Sequence, residues 1–207
     1  MRRIILAVAA TAAVTLPAAP ASAGPPTLDD LRKGLLTEAE APAGWHSLGE
    51  PSNERLPIPR NRSLCEDDQP AGEESATTAA IGYFSEDDGT SLAMGVAAPG
   101  ASNALAFIQA LEKTITRCPS QGSGDDLTTI TRLEVPAFGD AATGVRVEET
   151  GDGDQDRDLT VAVTDGDVLV VFEMIDGDRA DETDFLAFVD AGMLKLAEAG
   201  GGQFSAA

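Results

Sequence analysis

The chain is poor in the residues that carry most enzyme chemistry. In 207 residues it has one histidine, two cysteines, one tryptophan and one tyrosine. His46 has no acid near it in sequence beyond Glu50, and no Gly-x-Ser-x-Gly elbow precedes a helix, so no nucleophilic triad can be assembled. There is no zinc-ligand spacing, no phosphate-binding glycine loop and no dinucleotide fingerprint. After the N-terminus, no run approaches the ~20 apolar residues that a membrane-crossing helix needs. Positive charge is scarce too, with 14 Lys and Arg against 35 Asp and Glu and a net charge of −21. Such a balance repels nucleic acid and anionic lipid. It suits solubility outside a cell; a basic partner is the sharper alternative, and no local feature selects one. Paired carboxylates could hydrolyse a glycoside, but 35 acids do not single out two.

The N-terminus reads as an export signal. Met1-Arg2-Arg3 is basic, Ile4 to Leu16 is apolar, and Ala21-Ser22-Ala23 offers a small-x-small cleavage site. We therefore expect a signal peptide over 1–23, a stiff linker over 24–26, one domain over 27–198 and a disordered tail over 199–207. No cysteine stands at the cleavage point to take a lipid. The expected mature chain is secreted, monomeric and without a membrane anchor, and cleavage removes two arginines and no acid. Two cysteines in an exported chain pair, so Cys65 and Cys118 are expected to form a disulfide. Closing a loop of that span should stabilise by about 4 kcal/mol on chain-entropy grounds.

The strongest periodic signal runs over 101–118. Ala104, Phe107, Ile108, Leu111, Ile115 and Cys118 fall in steps of three and four, which puts them on one helix face. Gln109, Glu112, Lys113 and Arg117 are expected to face water. Thr27 caps a first helix with Asp30 three residues on, and Leu28, Leu31 and Leu35 form its buried stripe. Thr37 caps a further turn that Pro42 ends. The last helix spans about 183–198, with Phe185, Phe188, Val189, Gly192 and Leu196 as its dry face.

Between the helices the pattern turns to strands. Ala79, Ile81 and Tyr83 alternate, Asp88-Gly89 turns the chain, and Leu92, Met94 and Val96 alternate. Gly82, Ala93, Gly95 and Ala97 leave room for another layer. Further strands are expected over 127–135, 142–149 and 159–164, then from Val168 after the Asp165-Gly166 hairpin signal. The continuous apolar run Val168 to Phe172 predicts a central strand covered on both faces. Two stretches read as loops: 49–69, where prolines and charges alternate without period, and 121–126. The class expected is α+β, an antiparallel sheet of about six strands with three helices in the order α-ββ-α-ββββ-α. Asp152, Asp154, Asp156 and Asp158 tempt a calcium reading. Arg157 and Val163 stand where the EF-hand pattern wants glycine and glutamate, so a solvated hairpin turn is expected, with a weak calcium site left open.

Leu35-Leu36-Thr37 at the end of the first helix, the helix from Ala104 to Cys118, Gly139-Asp140 and the helix from Phe185 together resemble the PknH-like extracellular sensor domain family. The resemblance covers 27–198. Family members often have a tryptophan near the end of the middle helix, where this chain has Thr114 or Ile115, and two disulfides where it can form one. The likeness implies a non-enzymatic domain that needs no cofactor, with a cleft between sheet and helices for an extracellular ligand, small molecule or protein. No family binding residue carries over. A cleft floor is expected around Gly82, Tyr83 and Gly95, with Trp45 either anchoring the core or stacking on the ligand. The alternatives are a carboxylate hydrolase and an inhibitor-like module working through 51–69.

Overall fold

A computed structural model describes residues 26–58, 65, 75–85, 90–123, 126–151, 154–175 and 181–199. The expected signal peptide, most of the expected linker and tail, and the expected Asp88-Gly89 turn lie outside the described residues. The chain runs α1 (Leu28–Lys33), β1 (His46–Ser47), β2 (Ser52–Ile58), β3 (Ser75–Ser85), β4 (Ser91–Ala97), α2 (Ala101–Arg117), β5 (Ser120–Ser123), β6 (Asp126–Leu133), β7 (Ala141–Gly151), β8 (Asp154–Asp165), β9 (Val168–Ile175) and α3 (Glu182–Ala199). The class is α+β as expected: three helices and one antiparallel sheet among the described residues.

That sheet has nine described strands rather than about six, in the order β1-β3-β4-β9-β8-β7-β6-β5, with β2 also paired to the outer side of β3. Of the three extra strands, β2 and β5 fall on stretches expected to be loops. β2 occupies the proline-rich segment, pairing Ser52 with Ile81 through Ile58 with Ser75. It is an edge strand, so Pro57 costs no second ladder bond and its outer groups meet water, which erased the hydrophobic alternation. β5, Ser-Gln-Gly-Ser, is the opposite edge and pairs only with β6. β1 is two residues long.

β9 is central, flanked by β4 and β8. Its residues alternate between two separate cores. Val170, Phe172 and Met174 join the larger one, with α1 and α3; Leu169 and Val171 join the smaller one, with α2. Phe188 of α3 meets Phe84 and Phe172 edge to face, at centroid distances of 5.4 and 5.9 Å. A Cβ on Gly192 would overlap the Phe172 ring, so glycine is what lets α3 lie this close to β9.

The helix ends follow their sequence signals. Thr27 and Asp30 form a capping box. Thr37 O accepts from the amides of Glu40 and Ala41, and Glu40 Oε2 accepts from Thr37 N at 2.9 Å. The β8–β9 turn is Gly166-Asp167, one residue later than the Asp165-Gly166 signal, with Gly166 at φ +54°. The acidic run is less of a turn than expected: β8 begins at Asp154, Asp156 pairs with Glu149 and Asp158 with Val147. Residues 152–153 lie outside the described residues.

Candidate functional site

α2 is held to the sheet by more than its apolar stripe. Cys118 at its C-cap is bonded to Cys65, with Cα atoms 5.8 Å apart, so the expected disulfide is present. At its N-terminus Gly100 offers no side-chain cap; the amide of Ala101 instead donates to Asp167 Oδ1 at 3.0 Å, from the β8–β9 turn. That turn is itself clasped by Gly139-Asp140. Asp140 N donates to Thr164 O at 2.7 Å, and Gly166 N donates to Asp140 Oδ2 at 2.9 Å. Gly139 has φ +51° and no room for a Cβ beside Thr164 O. In mid-helix, Glu112 is on the wet side of the helix as expected, half-exposed, and it also makes side-chain bonds to the sheet. It accepts from both guanidinium nitrogens of Arg132 and from Thr143 Oγ1, and these bonds hold its carboxyl below the ordinary carboxylate range.

The stripe of α2 packs on Ile130, Val145, Ala162, Leu169 and Val171, with Leu56 of β2 against the same core. Beyond Val171 this face of the sheet carries other residues. Tyr83 of β3, Ala93 of β4, Glu173 of β9 and Thr160 of β8 are successive cross-strand partners, and Ile175 lies one step further on. Tyr83 is 37% exposed and Ile175 52% exposed, and neither belongs to the α2 core. This strip, exposed at Tyr83 and Ile175, half-buried at Glu173 and Thr160 and buried at Ala93, is the candidate site.

Two carboxyls there are shifted in opposite directions. Glu54 of β2 accepts from Tyr83 Oη at 2.7 Å and from Ser52 Oγ at 2.8 Å, bonds that hold its pKa down. The same contact, with burial as the larger cause, pushes the Tyr83 phenol up to about 12. Glu173 is half-buried, and burial, aided by the charge of Asp158, pushes its carboxyl up. Tyr83 therefore stays a neutral hydroxyl fixed by an ionised Glu54, while Glu173 holds its proton more tightly than a free carboxylate.

The four residues expected to line one cleft divide between the two faces. Gly95 pairs with Ile81, and Tyr83 with Ala93, on the α2 face. Gly82 pairs with Met94 on the other face, where Trp45, 4% exposed, packs in the larger core. His46 is exposed, its Nδ1 3.6 Å from Glu38 Oε1. Among the described residues no three ligating side chains converge on a metal position. Glu173 had a readable signal: one acid between Phe172 and Met174 in an otherwise apolar strand. Glu54 had none, because its strand carries no hydrophobic period.

No family model matches the chain, and no curated protein matches it. Among solved structures it is similar to the extracellular domain of PknH from Mycobacterium tuberculosis, with a TM-score of 0.54 and 16% identity over 86% of this chain and 98% of that one. At that identity the likeness establishes a shared fold.

Proposed function

We propose that this chain is an exported, non-enzymatic binding module of the PknH-like sensor-domain family, and that its ligand surface is the open strip of the α2 face. The fold likeness supports the sensor-like reading, and the disulfide supports an extracellular setting. The observation that carries the location is Glu173: a half-buried acid in the central strand, separated only by Ala93 from a tyrosine whose hydroxyl is held in place, where packing alone would favour an apolar residue. Tyr83 belongs to this surface; Gly95 is on the same face but buried in the row of Val171, and Gly82 and Trp45 lie in the opposite layer.

The test is an NMR screen of the labelled protein against a fragment library of neutral and cationic small molecules. Shift changes should gather on Tyr83, Ala93, Gly95 and Glu173 and disappear in Tyr83→Phe. Hits confined to the α1 and α3 face would overturn the location. The hydrolase reading has one observation in its favour, the opposed shifts of Glu54 and Glu173 on one face. Turnover of a glycoside panel that Glu173→Gln abolishes would replace binding by catalysis.

A further inference from the structure

The disulfide belongs to one layer only. Cys118 is buried in the α2 core with Cys65 packed against it, and the core built on α1 and α3 contains neither. The strand pairings are backbone ladders from β1 to β9, and none includes Cys65 or Cys118. The two sulfurs also differ in access: Cys118 is buried, and Cys65 is half-buried.

We propose that Cys65–Cys118 is a redox-sensitive latch on the α2 layer, opened by an external dithiol while the α1 and α3 layer stands. A thiolate of the dithiol attacks Cys65 Sγ, the more accessible sulfur; the Sγ–Sγ bond breaks and Cys118 leaves as a thiolate. The second thiol of the reductant attacks the mixed disulfide and releases Cys65. Two electrons have then passed to the protein, the reductant has become a disulfide, and its own two protons, relayed through water, end on the thiols of Cys65 and Cys118.

Opening has a directional effect. The N-terminus of α2 keeps its Asp167 cap, and mid-helix keeps the Glu112 bonds to Arg132 and Thr143. The end at Cys118 loses its covalent tie, and β5, which follows at once, is an edge strand. Local opening is therefore concentrated over the end of α2 and β5. The strip proposed for ligand binding shares this face, so opening the latch would alter that surface; this link rests on the binding reading, whereas the latch does not.

Hydrogen exchange with mass spectrometry on the oxidised protein and on the same protein in dithiothreitol tests the latch alone. Peptides covering 113–123 should exchange at least tenfold faster after reduction. Peptides from β4, β9 and α3 should stay within twofold, and Trp45 emission, which reports the other layer, should not move. Loss of protection in α3 together with a red shift of Trp45 would overturn the proposal, and so would unchanged exchange over 113–123. The Cys65→Ser/Cys118→Ser variant should reproduce the reduced pattern; its failure to fold would count against the latch, because the α1 and α3 layer is held to stand without the bond.

Discussion

Glu173 shows how far one side chain can be read. Its pKa is raised in the folded chain, so the native state binds more protons than the unfolded chain between the ordinary glutamate value and the raised one. Stability should fall as pH rises through that window and then level off at the lower value. Glu173→Gln removes the titration, so the variant should melt higher than the parent at pH 7 and show a flatter profile from pH 4 upward. Equal slopes in the two thermal-melt series would contradict the assignment. Glu40 has the opposite sign. Bonds from Lys195 and from Thr37 lower it to about 2, so its contribution is present above the ordinary glutamate value and fades as pH falls toward 2. Glu40→Gln should lower the melting temperature at pH 7 and change nothing near pH 2; because the side chain is partly solvated, the difference will be small.

At the scale of elements, the two helices on opposite faces depend on different devices. α3 depends on close approach: Gly192→Ala forces a methyl into the Phe172 ring and should cost about 1–3 kcal/mol in chemical denaturation. α2 depends on a cap borrowed from a distant turn, and Asp167→Ala should cost about 1 kcal/mol, with no loss of the disulfide. A change below a few tenths of a kcal/mol in either variant would remove its device from the account. The helices were legible in advance because each buries a stripe, and periodicity records a stripe. The edge strands were not, because β2 and β5 bury little, and a strand bonded along one side leaves no alternation to read. The Asp167 cap was also invisible, since its partner stands 66 residues earlier in the chain. The partners of Glu112 were invisible for the same reason: Arg132 and Thr143 come from strands that only the fold brings near the helix.

For the molecule as a whole, one antiparallel sheet serves two cores, and β9, like its neighbour β8, sends side chains into both. The continuous apolar run Val168 to Phe172 foretold this, because a strand covered on both faces needs no alternation. The same rule makes the exception at Glu173 informative. Of the four residues expected in one cleft, Tyr83 and Gly95 share the α2 face, with Gly95 buried in the row of Val171, whereas the pleat sends Gly82 the other way and Trp45 lies within the larger core; alternation gives a face, but not what covers it. The central claim is that the sheet is closed on the α1 and α3 face and open on the α2 face beyond Val171. Hydroxyl-radical footprinting of the native protein tests it most directly, since the chain has one tyrosine and one tryptophan, one on each face. Tyr83 and Ile175 should be oxidised readily while Trp45, intrinsically the more reactive ring, stays protected until unfolding. Trp45 oxidised as fast as Tyr83 in the native state would contradict it.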